Sequence, residues 1–239
     1  MKLTRSTALR ASKGKTFAVS VFFFSVLAVT VSAQNAKETD GGAAFAFELE
    51  KGYSRFFSLS VEEEVRLISN STGFDRSVTN LGANFTFFGG KLKTGAFYAF
   101  MYLYNNDYLY EPRHRVYLNV IYKETFASVT LSWRGRLQAT YRDENRGAYR
   151  VNPKYVLKNR LQAEYSIWGS PWKPFLSCEP ANDLNDPESN APTRIRYQGG
   201  VSWRLNRTDH MDFFIRFDQH TSGEDPNAIF LGVEYKIKL

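Results

Sequence analysis

Polar and apolar residues take turns along this chain from about residue 54 to Leu239, in stretches of roughly a dozen residues. The clearest stretch is Val129–Tyr141. Val129, Leu131, Trp133, Leu137, Ala139 and Tyr141 share one parity, and Thr130, Ser132, Arg134, Arg136, Gln138 and Thr140 share the other. Side chains of a strand point alternately to the two faces of its sheet, so a period of two sorts them into an apolar and a polar surface. Strands this long, repeated along a whole chain, predict an all-β fold. An antiparallel up-and-down β-barrel with lipid outside and water inside satisfies both surfaces at once.

The first 33 residues have a different pattern. Lys2, Arg5, Arg10, Lys13 and Lys15 precede an uncharged apolar run from Thr16 to Val31, and Val31-Ser32-Ala33 supplies the small residues of a cleavage site. Residues 1–33 therefore read as a cleavable export signal, shorter than the roughly 20 apolar residues a spanning helix needs. The charge argument changes with it. The chain has 31 Lys+Arg against 24 Asp+Glu, but residues 1–33 hold five of the bases and none of the acids, which leaves 26 against 24. The basic balance belongs largely to the leader, and no nucleic-acid partner is expected. A single cysteine, Cys178, excludes an internal disulfide and a cysteine-cluster metal site.

Residues 34–42 read as a polar, flexible start, and residues 43–239 as one outer-membrane barrel domain. Within it, Ala43–Leu49 forms a brief strand candidate. Ten longer ones follow at approximately 54–69, 77–88, 91–104, 113–123, 127–142, 154–167, 173–181, 193–205, 209–220 and 228–239. The connections alternate between long and short, with short ones at Gly89-Gly90, Glu124-Thr125 and Asn206–Thr208. Transmembrane barrels have short periplasmic turns and longer external loops. The alternation predicts ten strands with both chain ends on the short-turn side. The brief 43–49 segment breaks the parity, either as an extension of the first strand or as one member of a twelve-strand design.

Alternation alone does not say which face meets lipid; a soluble periplasmic lipocalin-like carrier would reverse it. Strand lengths favour the membrane version, since about 9–11 tilted residues cross a bilayer. Aromatic residues near strand ends do too: Tyr98, Phe100, Tyr102 and Tyr104, and Trp133, Tyr141, Tyr165, Trp168, Trp203 and Tyr235, fit interfacial girdles. One residue conflicts. Phe57, Leu59, Val61, Val65 and Leu67 place Glu63 outward as well, which calls for a bulge near Glu62–Glu64 or a position near the headgroups.

Val233–Leu239 resembles the terminal strand signal by which outer-membrane barrels are passed to their assembly machinery, with Leu239 where Phe is usual. Further short motifs are Arg134-Gly-Arg136, Lys158-Asn-Arg160, Pro174–Glu179, Arg194-Ile-Arg196 and Leu231–Leu239. With these the chain resembles a family of uncharacterised outer-membrane β-barrel proteins found mainly in Bacteroidetes. The resemblance implies a barrel in the outer membrane and carries no established activity.

The inward face is predicted to carry Arg66, Arg115, Arg134, Arg136, Lys158, Arg160, Arg194, Arg196, Arg204, Arg216 and Lys236 against Glu62, Glu64, Glu164, Asp212, Asp218 and Glu234. Charges in a narrow interior must pair. A sealed, salt-bridged interior is one reading; a small anion-preferring pore that uses the basic surplus is the other. Catalysis would have to come from His114 or His220 at the outer rim, as in an outer-membrane hydrolase, with His210 at the opposite end. No Gly-rich phosphate loop and no metal-ligand spacing occurs. No catalytic residue, metal or cofactor is expected. The expected partners are outer-membrane lipid, the assembly machinery and small anionic solutes.

Overall fold

A computed structural model describes residues 39–68, 73–104, 110–144, 151–185, 192–221 and 226–239. The export-signal reading of residues 1–33 and the polar start up to residue 38 lie outside them. Eleven strands make up the barrel: β1 (Thr39–Gly52), β2 (Phe57–Ile68), β3 (Gly73–Phe87), β4 (Leu92–Tyr104), β5 (Tyr110–Phe126), β6 (Val129–Tyr141), β7 (Lys154–Tyr165), β8 (Trp172–Asp183), β9 (Arg194–Arg204), β10 (Asp209–His220) and β11 (Asn227–Lys238). A short 3-10 turn, Phe88–Gly90, joins β3 to β4.

Each strand pairs with its sequence neighbours and the sheet closes on itself, β1 against β11. The brief strand expected at 43–49 is the middle of the fourteen-residue β1. An up-and-down walk reverses direction at every strand, so an odd count leaves the first and last strands pointing the same way. Only a parallel ladder can then close the sheet. The β1–β11 ladder is parallel, from Thr39 opposite Asn227 to Glu50 opposite Lys238, while the other pairs are antiparallel. Gly52 N–H donates to Leu239 O at 2.8 Å, so the seam continues to the final residue. This corrects the expectation for the chain ends: β1 enters at the rim of the long loops and β11 finishes at the rim of the short turns.

The registers, followed once around the wall, advance about 14 residues along β1, giving a strand tilt of roughly 40° and a backbone radius of roughly 11 Å. A cylinder of that width can be nearly filled by its own side chains. The outward parity is apolar. Leu161 and Leu231 are each 63 % exposed, and Val61, Leu81, Leu118, Leu131, Leu137, Leu176 and Ile215 lie exposed with them. Aromatics flank this band. Tyr102, Tyr104, Tyr110, Tyr141 and Tyr155 lie towards the long-loop rim, with Tyr102 and Tyr110 stacked at 5.0 Å. Phe57, Phe85, Phe126, Tyr165, Trp172 and Trp203 lie towards the short-turn rim, where Trp172 and Trp203 stack at 4.8 Å.

The interior is not polar throughout. Val78, Ala99, Met101, Leu103 and Tyr117 form a buried inward cluster on β3–β5 with Phe97 against it, and Ala44, Ala228 and Phe230 form another with Phe214. Inward glycines make room for these rings. A methyl group at Gly232 would stand 2.1 Å from the Phe214 ring, and one at Gly82 2.3 Å from Phe97.

Glu63 points outward halfway along β2, with no bulge at Glu62–Glu64; the register shift lies at Arg66/Leu67. Its carboxylate accepts hydrogen bonds from the Ser77 hydroxyl and from Thr79 Oγ1, the latter at 2.5 Å. The neighbouring strand therefore solvates a charge that its own strand leaves on the apolar wall.

Candidate functional site: a charged lumen

The inward parity encloses a cavity of about 530 Å³. Of the residues expected to face inward, Glu62, Glu64, Arg66, Arg115, Arg134, Arg136, Lys158, Arg160, Glu164, Arg194, Arg196, Asp212, Arg216, Glu234 and Lys236 line it. Arg204, the last residue of β9, is exposed at the short-turn rim. Acidic, basic and histidine lining residues outside the expectation are Glu48, Arg76, Lys93, Lys123, Glu179, His210 and Lys238.

Most carboxylates in the cavity are already engaged. Glu64 accepts from Arg66 Nε at 2.5 Å and lies 3.5 Å from Arg216. Asp218 takes Arg196 in a two-point contact at 2.7 and 2.9 Å, with Arg194 at 3.9 Å. Glu179, 3 % exposed, accepts from Arg134 Nη2. Lys236 bridges Asp212 at 3.0 Å and Glu234 at 3.2 Å. Near the short-turn rim, Glu50 takes Lys93 at 2.7 Å and Glu164 takes Lys173 at 3.0 Å. Such two-point and multiply bonded pairs are the form in which charges tolerate burial.

A second set of cations has no carboxylate within ion-pair distance among the described residues. Arg115 donates to Thr140 Oγ1 at 2.9 Å, Arg136 to Asn119 Oδ1 at 2.9 Å, and Arg160 to Gln162 Oε1 at 2.5 Å. Lys158 has neither a hydrogen bond nor an ion pair among those residues. Arg136 also lies over the Tyr117 ring, 4.2 Å from its centroid. These four come from β5, β6 and β7, adjacent strands of one wall. On the facing wall Glu48 and Glu62, directly opposite each other across β1–β2, contribute carboxylates, and Asn80 Nδ2 donates to Glu62 at 3.5 Å.

Residues 45–218 match the model of a family described as "Protein of unknown function (DUF2490)". The chain belongs to that family. No curated protein matches it. The matched stretch runs from β1 to Asp218 near the end of β10, so it contains the whole wall of unpaired cations and the Arg196–Asp218 pair.

The histidines do not converge. His114 sits on the outer wall, its Nδ1 2.6 Å from Tyr98 Oη, with the Phe100 ring beside it. His210 lines the cavity near the short-turn rim, and His220 ends β10 with its backbone N–H donating to Asn227 Oδ1. Among the described residues, the base, acid and nucleophile that a hydrolase would need within hydrogen-bond reach are not assembled around His114 or His210. Among the described residues, no three His, Cys, Asp or Glu side chains are placed to hold a metal ion.

Proposed function

We propose that this protein is an outer-membrane β-barrel whose basic lumen gives small anions a passage. The observation that carries the reading is the opposition of the two faces on one closed wall: exposed Leu, Val and Ile between two aromatic bands outside, and Arg, Lys, Glu and Asp around the cavity inside. Lipid is the solvent such an exterior requires, since a water-facing barrel would expose this apolar surface at a cost. The excess of cations over carboxylates favours anions over cations. Export through the signal read in residues 1–33 and insertion by the assembly machinery at β11 complete the proposal.

Planar-bilayer conductance tests it. Single channels with anion over cation preference, weakened by Arg115→Gln, are the expected result. A protein that enters the bilayer and conducts nothing would leave the alternative, a sealed barrel braced by its internal ion pairs. Partition into the aqueous phase without detergent would reject the membrane reading altogether.

A further inference from the structure

The lumen combines two arrangements that conflict electrostatically. Across the β6–β7 ladder, Arg136 stands directly opposite Lys158 and Arg134 directly opposite Arg160, on the same inward face. Like charges in directly opposed positions repel and destabilise a sheet. Arg196, by contrast, lies opposite both Glu179 and Asp218, and where Arg66 stands opposite Arg76 each has a carboxylate of its own, Glu64 and Asp75. Glu179, on the neighbouring β8, is taken by Arg134, and Glu164, at the end of β7, by Lys173. Arg115, Arg136, Lys158 and Arg160 remain with neutral partners or none. The β7–β8 ladder has no pairing at Asn159 and Arg160. Arg134 Nε, Arg160 Nε and Arg194 Nε are also buried without a hydrogen-bond partner among the described residues. Buried guanidinium N–H groups left unbonded cost free energy that a ligand can recover.

We propose that Arg115, Arg136, Lys158 and Arg160 form a discrete binding site inside the barrel for a small oxyanion carrying at least two negative charges, of the phosphate or polycarboxylate class. The inference rests on the anion-preferring reading above and sharpens it from a diffuse basic lumen to one wall. A monovalent halide offers one charge and no fixed acceptor directions. An oxyanion offers several acceptors, which suits planar guanidinium donors carried into one cavity by the adjacent strands β5, β6 and β7 together with an ammonium. The ion-paired residues Arg196, Arg134 and Arg66 brace the site and contribute little net charge to it.

The test uses the full chain refolded in detergent micelles, titrated calorimetrically with inorganic pyrophosphate and, separately, with citrate in a chloride buffer. One saturable site per chain is expected for at least one of them, and the better binder identifies the class. Lys158→Gln and Arg136→Gln each weaken binding at least tenfold. Lys123→Gln, the same charge change in the cavity near the short-turn rim, leaves it within twofold. Both site variants relieve repulsion between neighbours, so their urea midpoints in the absence of anion stay level or rise, which separates loss of binding from loss of folding. No saturable binding of either anion, or site variants that bind like the wild type, overturns the proposal. Bilayer conductance keeps the two readings apart. Binding without conductance rejects the pore and retains the site; conductance without saturable binding does the reverse.

Discussion

Replacing Glu179 by Gln would remove the carboxylate that neutralises Arg134 beside the cation-rich wall. Glu179 is 3 % exposed, accepts from Arg134 Nη2 and stands directly across the ladder from Arg196. Glutamine keeps the size and one acceptor but cancels the charge, leaving Arg134 opposite Arg160 with no counter-ion. Removing one partner of a buried ion pair costs about 3–5 kcal/mol, and a hydrated lumen favours the lower end, about 3 kcal/mol. With a urea slope of roughly 2 kcal/mol per M, the unfolding midpoint should fall by about 1.5 M. Tryptophan emission reports the transition, because the Trp172–Trp203 stack lies on the outer wall and must separate on unfolding. Adding Arg134→Met removes the stranded cation and should restore more than half of the loss, the non-additivity expected of a directly bonded pair. A single variant within about 0.5 kcal/mol of the wild type would refute the assignment of Glu179 as the neutralising group, since surface substitutions of no consequence fall in that range. So would a double variant that loses as much as the two single ones together.

Three further outcomes follow from the wall itself. Leu161→Arg, at a site 63 % exposed on the outer face, should cost about 2–4 kcal/mol in equilibrium unfolding from phospholipid vesicles, whereas unchanged stability would mean that this wall faces water. Gly232→Ala should lose about 2 kcal/mol, because the new methyl meets the Phe214 ring at 2.1 Å; Phe214→Leu in the same chain should recover part of it in the same urea assay. Ala127 begins the two-residue β5–β6 turn at φ 52°, a left-handed conformation that penalises a Cβ. Ala127→Gly should therefore raise the midpoint by the equivalent of about 0.5–1 kcal/mol, and a fall would show that the turn does not have this geometry in solution.

Much of the barrel was legible in the chain because period-two alternation is a local property. Val129–Tyr141 spells out which residues of β6 face outward and which face the lumen. Two of the short turns were legible for similar reasons: Asn206 accepts from the N–H groups of Thr208 and Asp209, the local bonding that makes Asn a turn residue. The turn expected at Glu124-Thr125 lies instead at Ala127-Ser128, because β5 stays paired with β6 through Phe126. Residues at strand ends were harder to place. Arg76 precedes the first clear alternation of β3. Glu48 and Glu50 belong to a strand whose small residues, Gly41, Gly42, Ala43 and Ala44, dilute the pattern until only Phe45, Phe47 and Leu49 stand out. Glu179 lies in a run broken by Pro174 and Pro180, where the outward parity is too mixed to mark the inward one.

By itself, the order of residues determined that this chain forms long two-faced strands with an apolar and a charged surface. It also marked where most strands turn, since strand pleat and turn chemistry depend on neighbours a few positions apart. The tertiary structure decided the strand count, because β1 acquires its full length only by lying parallel to β11, almost 190 residues away in the chain. It also decided which charges are neutralised. Whether an arginine meets a carboxylate or another cation depends on the register between strands, and register is fixed by closing the whole cylinder.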